Sequence, residues 1–463
     1  MRRHRLRQYN PPDLTPAEAV MSVHIYLCAP GEPRRPPPGM DAVIHLDEPG
    51  RSGYPLHHHL ARLPAPAGPS GQETLAFLLT ALGVWAADKL LPRRAAPDAW
   101  TRRITLHLPL SPGWVPLAPR LARLLDFLTG DLWTLAARAE RLDLGLSQDR
   151  PLPWRPDGVL LFSGGLNSLV GALDFLDDGG RLLLVSHYDY GQLAAVQQHL
   201  AAALLRQYGA HRVQHLGLRV QFPQGPELSQ RSRSLLYLAL GLTAAAAGGP
   251  ATPLIIPENG WISLNPPLTL NRLGSLSTRT THPHFLARLT ALWREAGLAH
   301  PLINPYQDLT KGEMLRRCRN PAGLRQVFAQ TISCARPVVA RWQGGAAGAC
   351  GYCYPCLMRR VALHAVGWDR GEDYRRNALA NPQNMTHRVR GQDLRALLLA
   401  LQTWEERPAE MMARLTLGDP ATMPARFRQS QQVLAQGFQE IGDFFRQPER
   451  PWIKAYRAGR GSA

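Results

Sequence analysis

The rhythm of apolar and polar positions in this 463-residue chain changes near residue 157. Beyond it, short apolar runs alternate with longer stretches of helical spacing. Residues 159–162, 181–186, 213–218 and 254–256 read as strands, and 169–176, 193–208 and 232–247 as helices. Short apolar strands alternating with helices belong to a parallel sheet covered on both faces. An α/β fold with a doubly wound parallel sheet is therefore expected over 156–370. Such sheets bind ligands beyond the C-terminal ends of their strands. Three polar clusters fall there: Ser163, Tyr188-Asp189 and Pro257-Glu258-Asn259.

The flanks read differently. Residues 23–27, 41–46 and 100–110 suggest strands. A helix is expected over 73–91, where Leu75, Leu78, Leu79, Leu82 and Trp85 recur at helical spacing, and a helical segment over 114–139. Pro-rich stretches at 36–39 and 64–69 read as turns or linkers. These pieces predict an N-terminal α+β domain over 1–155 with no evident chemistry. Residues 371–463 predict a helical C-terminal extension, with helices at 393–405 and 424–445, that serves packing or a partner. The uncharged run 234–257 is broken by Gly248-Gly249-Pro250 and reads as a buried helix followed by a buried strand, not a membrane span. Met1 is followed by basic residues without an apolar signal segment, so a cytoplasmic protein is expected.

The net charge of +18 resembles a nucleic-acid signal. The basic residues are nearly all arginine, with lysine only at Lys89, Lys311 and Lys454, and they are spread along the chain. No dense tract occurs beyond Arg2-Arg3-His4-Arg5, and no basic stripe interleaved with aromatics is evident. Direct nucleic-acid binding is not expected, whereas an anionic small substrate such as ATP would gain from the field.

The richest segment is Ser163-Gly164-Gly165-Leu166-Asn167-Ser168, where an apolar strand meets a helix through a Gly turn. Backbone N–H groups at such a turn, aimed by a helix N-terminus, cradle phosphate. The lysine of a Walker A loop is absent, so that reading fails. Four of six cysteines form a second motif: Cys334, then Cys350-Gly-Tyr-Cys353-Tyr-Pro-Cys356. This spacing suits a closed, structural tetrathiolate zinc site. Disulfides and an iron–sulfur cluster are the rivals. Arg341, Arg359 and Arg360 are placed to offset the thiolate charge, and Cys28 and Cys318 read as ordinary buried cysteines.

Loop and cysteines together resemble the QueC family, the 7-cyano-7-deazaguanine synthases of the PP-loop ATP pyrophosphatase (HUP-like) superfamily. Ser163 to Ser168 is similar to the PP-loop. Asp189-Tyr190-Gly191-Gln192 is similar to that family's Asp-Tyr-Gly-Gln segment, Leu309-Thr310-Lys311-Gly312-Glu313 to its Leu-x-Lys-x-Glu segment, and Ser333-Cys334 with Cys350 to Arg359 to its zinc motif. These matches span about 157–370, under half of the chain. The long flanks, with Leu128-Thr129-Gly130-Asp131, Pro257-Glu258-Asn259-Gly260 through Pro267 and Ser277 to Pro283, resemble QatC-type proteins, the QueC-like members of the Qat anti-phage defence system.

The resemblance implies an ATP-dependent carbon–nitrogen ligase using ATP, Mg²⁺ and structural Zn²⁺. A carboxylate, 7-carboxy-7-deazaguanine, attacks the α-phosphate of ATP, pyrophosphate leaves, and an amine displaces AMP. In the defence setting the amine can belong to a partner protein, and the implied partners are a small protein, an ATPase and a TatD-type nuclease. Ser163, Gly164, Gly165, Asn167 and Ser168 would hold the nucleotide. Lys311 and Arg233 would neutralise phosphate, Asp189 would hold Mg²⁺ or a ribose, and Glu258 and Asn259 would read the base edge. Bland readings stand beside these: a cap for Asp189, a solvated Lys311, a turn at Glu258-Asn259, and a structural His282. Asn167 departs from the family's Asp and loses a negative charge suited to Mg²⁺; Asp189 is the candidate to supply it. The competing functions are a non-catalytic nucleotide-binding scaffold, the housekeeping nitrile synthase and an RNA-modifying PP-loop enzyme.

Overall fold

The computed structural model describes residues 22–32, 36–48, 50–66, 68–139, 142–147, 152–272, 278–335, 348–415, 424–447 and 452–453. Arg2 to Arg5, Ser277 and Arg341 lie outside them. Two sheets organise the chain. The first comprises β1 (Val23–Cys28), β2 (Ala42–His45), β3 (Tyr54–Pro55), β5 (Arg103–Leu110) and β6 (Leu132–Ala139), in the order β3-β2-β1-β5-β6. The second adds β4 (His57–His58), β7 (Gly158–Leu161), β8 (Leu182–Tyr188), β9 (Val213–Gln221), β10 (Leu254–Ile255) and β11 (Leu302–Ile303), in the order β11-β10-β7-β8-β9-β4.

The second sheet is parallel except for β4, which pairs antiparallel with β9. From β9 to β11 its strands follow the chain order 3-2-1-4-5 of a doubly wound sheet, with the reversal between β7 and β10. Successive residues of β7 enter different cores. Val159 and Leu161 face a core shared with α5 (Arg233–Gly248), whereas Leu160 and Phe162 face one built with α3 (Leu166–Asp177) and α4 (Gly191–Tyr208). Both faces are therefore covered, as the unbroken apolar strands required.

The first sheet corrects two expectations. Among the described residues it is parallel throughout, so its connections are crossovers and its character is α/β, not α+β. The helical segment expected over 114–139 is a helix, α2 (Ala118–Thr129), followed by β6. Gly130 at φ +77° ends α2 in the left-handed conformation that stops a helix, and the following residues pair with β5. Helix α1 (Gly71–Leu90) is buried on nearly every side because it packs on both β5 and α5. One apolar core thus runs from the first sheet through α1 and α5 to the second.

The remaining elements are short helices around the edge of the second sheet and a helical C-terminal region. They are α6 (Gly260–Leu264), α7 (Pro283–Glu295), α8 (Lys311–Arg316), α9 (Pro321–Val327), α10 (Tyr354–His364), α11 (Gln383–Thr386), α12 (Gln392–Glu406), α13 (Pro408–Ala413) and α14 (Pro424–Phe445). Helix α14 packs on α6, α10 and α12. Among the described residues no helix is long and apolar enough to cross a membrane, and 234–257 forms α5 and β10.

Candidate functional site

The site lies at the C-terminal edge of the second sheet, where β7 and β10 diverge. The chain leaves β7 at Phe162, turns through Gly164 at φ +80°, and enters α3 with Gly165 as its N-cap. Glycine is required at 164, because a side chain is strained at that φ. The Ser163 hydroxyl accepts from Gly165 N at 3.3 Å and lies 3.3 Å from Ser168 Oγ, and Ser168 Oγ donates to the Gly165 carbonyl at 2.9 Å. Ser163 is exposed and Ser168 buried. The loop is thus held by its own hydroxyls, with the N-terminus of a 12-residue helix behind it.

Asp189 and Arg233 form one bank of the edge, 3.6 Å apart. Arg233 also donates through Nε to His187 Nδ1 at 3.3 Å and lies over the Tyr237 ring. Burial, aided by Arg233, pushes His187 down to about 3, so it stays neutral and can accept. The bank is tied to the loop by Gln197, whose amide donates to the carbonyls of Ser163 (3.3 Å) and His187 (3.1 Å). Asp189 makes no hydrogen bond to the loop among the described residues.

Glu258 and Lys311 form the other bank. Glu258 follows β10 and Lys311 opens α8, and each senses the other's charge. Burial pushes the Glu258 carboxyl up to about 7, against the pull of Lys311 and the Asn259 N–H. Burial likewise lowers Lys311, which is 7% exposed and so is not a solvated surface lysine. A capping box between Thr310 and Glu313 fixes the start of α8. Asn167 joins this bank: its amide donates to Glu258 Oε1. The carboxylate next to the loop's Asn is therefore Glu258 and not Asp189, which pairs with Arg233 instead.

Asn259 is engaged within the protein itself. It is fully buried, its Oδ1 caps α6 through Ile262 N at 3.0 Å, and its Nδ2 donates to Glu258 Oε1 at 2.9 Å. Both ends are consumed in positioning Glu258. His282, similarly, caps α7 by accepting from His284 N, the structural role.

The four cysteines converge. Their sulfurs all lie within 4.8 Å of one another, with Cys334–Cys353 at 3.8 Å and Cys350–Cys356 at 3.9 Å. A tetrahedral zinc with Zn–S bonds of about 2.3 Å sets its sulfurs about 3.8 Å apart, so the donor set fits one such ion. Cys334–Cys353 and Cys350–Cys356, at 3.8 and 3.9 Å, stand at metal-sharing and not at disulfide separation. Gly351 at φ +83° makes the tight turn, where a Cβ would lie 1.9 Å from the Arg376 carbonyl. The arginines serve the fold around this centre. Arg359 donates to the carbonyls of Thr331 and Phe328, and Arg360 pairs with Asp369 at 2.9 Å.

No family model matches the chain, and no solved structure matches it. Half of this chain is similar to a 7-cyano-7-deazaguanine synthase. That protein, from Novosphingobium aromaticivorans, is 27% identical over 253 residues, covering 99% of its own length and 50% of this chain. The likeness supports the QueC-like family to which the motifs pointed.

Ser333 belongs to the zinc motif, but its contact with the loop is visible only in the fold, and Gln197 and Glu440 escape sequence reasoning. Ser333 accepts from Leu166 N at 3.4 Å while Ile332 N donates to the Gly164 carbonyl at 3.0 Å, so the cysteine segment docks directly on the loop. Gln197 is a buried amide on an amphipathic helix. Glu440, from α14, accepts from Thr310 Oγ1 and Arg316 at 2.8 Å each. Its signal was present: 440 falls on the stripe 433, 437, 440, 444 of an otherwise apolar helix face.

Proposed function

We propose that this chain is a QueC-like, ATP-dependent carbon–nitrogen ligase that activates a deazaguanine carboxylate and passes it to an amine. The observation that carries the reading is convergence: a Ser-Gly-Gly loop at a helix N-terminus, a buried Lys311 beside a half-buried Glu258 across the sheet reversal, and a four-cysteine centre docked on the same loop. The likeness to the synthase supports the substrate class.

In this reading the loop N–H and hydroxyl groups hold the triphosphate, and Lys311 offsets charge as the α-phosphate is attacked. A carboxylate oxygen bonds to the α-phosphorus, the bond to the bridging oxygen breaks, and pyrophosphate leaves. The amine nitrogen then bonds to the acyl carbon, AMP leaves with the electron pair, and the nitrogen loses a proton. Arg233 and Asp189 line the opposite bank. Zinc on the cysteines would hold Ile332 and Ser333 against the loop and take no part in bond making.

The finer proposal is that the acceptor amine belongs to a partner protein of an anti-phage defence system. Its support is that the synthase match covers 50% of this chain, which carries a second sheet and a set of C-terminal helices besides the loop-bearing sheet. The test is to incubate the protein with ATP, Mg²⁺ and 7-carboxy-7-deazaguanine, with and without the products of neighbouring genes, and to follow AMP and adducts by mass spectrometry. AMP with a protein adduct is expected. AMP with only small-molecule products restores the nitrile or amide synthase. ATP bound with no AMP under any condition makes the protein a scaffold.

A further inference from the structure

The departure at Asn167 is answered across the sheet reversal. Asn167 Nδ2 donates to Glu258 Oε1, which also receives Asn259 N at 3.1 Å and Asn259 Nδ2 at 2.9 Å. Three donors therefore fix one carboxylate oxygen, and Glu258 Oε2 takes no protein hydrogen bond among the described residues. Glu258 N is itself anchored on Asn304 Oδ1 at 3.3 Å. Two buried polar atoms beside this carboxylate, Asn167 Oδ1 and Asn304 Nδ2, have no protein partner.

We propose that Glu258 carries the negative charge that the loop lacks at Asn167, and that Asn167 is the positioning residue that holds it at the loop. The inference rests on the nucleotide-binding reading of the loop and deepens it: Glu258 is the carboxylate facing the divalent cation of the nucleotide. The chemistry at 167 follows. An Asp there would set a second carboxylate within hydrogen-bond distance of Glu258, and two carboxylates so close do not both ionise. An amide removes the repulsion and turns the contact into a donor–acceptor pair. Asn at 167 and Glu at 258 are thus two halves of one arrangement.

The test is a charge swap between the two positions. Asn167→Asp, Glu258→Gln and the double variant nearly keep side-chain volume and leave two, no and one carboxylate at the pair, the last moved to position 167. Mg²⁺-ATP binding is measured by isothermal titration calorimetry, and melting temperature is measured without nucleotide at pH 5 and pH 8. Each single variant is expected to weaken binding by roughly tenfold, the size of one lost charged contact. The double variant returns to near the wild-type affinity. Without nucleotide, Asn167→Asp melts lower at pH 8 and recovers at pH 5, where one carboxyl takes a proton, and the double variant does not show this pH dependence. A double variant no better than the worse single, or an Asn167→Asp that binds Mg²⁺-ATP more tightly than wild type, overturns the proposal. If wild type binds no ATP, the nucleotide reading fails, and the melting data alone decide whether the two side chains are coupled.

Discussion

Asp131 gives the sharpest energetic test, because it completes a charge cluster with almost no access to water. Asp88 and Asp131 are 0% exposed, and Arg93 and Arg102 are 5% and 4% exposed. Asp131 binds Arg93 at 2.8 Å and Arg102 at 2.7 Å, and Arg102 closes on Asp88 at 2.6 Å. Within these four residues two cations and two anions balance, and the buried Arg231 adds a third guanidinium that senses both carboxylates. Asp131→Asn keeps the shape but leaves two guanidinium groups sharing one carboxylate. Breaking a buried pair this way costs about 3–5 kcal/mol, because the surplus charge cannot reach solvent. With an unfolding entropy of about 1 kcal/mol/K for a chain of this length, melting falls by about 3–5 °C if the chain unfolds as one unit. Differential scanning calorimetry measures it. The control is Arg120→Gln, which breaks an ion pair whose partners are both over 40% exposed, and it should leave the melting temperature unchanged. Adding Arg93→Met to Asp131→Asn removes the surplus cation and should recover part of the loss. If Asp131→Asn behaves like the exposed control, the cluster is not the desolvated network its geometry implies.

Three further outcomes follow. Cys353→Ser should lose bound zinc by elemental analysis and melt earlier, because metal affinity is folding energy in a closed thiolate site; full stability without metal would remove the structural role. Burial holds Glu258 up to about 7, above the ordinary glutamate value of 4.5, so the folded state binds its proton more tightly than the unfolded chain. Its stabilising contribution is then fully present below about 4.5 and lost as pH rises to about 7, and Glu258→Gln should flatten a urea-midpoint profile over that window; an unchanged slope refutes the burial argument. Glu440→Gln removes the charge that receives Arg316 and should cost about 1 kcal/mol, the value for a charged pair with one partly hydrated member. It should also slow AMP formation through the start of α8, and unchanged turnover would confine α14 to folding.

Much of the second sheet was legible because periodicity and burial agree there. Unbroken apolar runs at 159–162 and 182–185 read as strands buried on both faces, and the helices between them had the right length for crossovers. The cysteine centre was legible from spacing alone. What failed was local competition. The stretch 114–139 carries leucines at helical spacing up to Leu128, and only the left-handed turn at Gly130 and pairing with β5 convert the rest to strand. The cap role of Asn259 was hidden because an exposed turn and a buried cap have the same composition. Lys311 and Glu258 were both singled out, but their mutual burial depends on β10 and α8 meeting at the sheet reversal, which no local pattern encodes. Leu128-Thr129-Gly130-Asp131 was noticed as a family feature, and its physical content appears only when Asp131 meets Arg93 and Arg102.

The flanking regions reach the edge of the second sheet by two separate routes, and this bears on why the chain is longer than the synthase it resembles. From the N-terminal side, the Ser232 hydroxyl donates to Asp88 of α1 at 2.6 Å, so the charge cluster grips the N-cap of the helix whose first residue is Arg233. Trp85, on the same α1, meets His187 edge-on, and His187 in turn accepts from Arg233. From the C-terminal side, Glu440 of α14 holds Thr310, the residue before Lys311, and Gly437 of α14 lies against Trp261 just beyond Glu258-Asn259. One flank therefore braces the Asp189–Arg233 bank and the other braces the Glu258–Lys311 bank. A partner that shifted either flank would move one bank relative to the loop without touching the loop itself. Coupling of this kind requires the braces to be stiff, and a desolvated charge cluster and a capped helix start are among the stiffest contacts a fold provides.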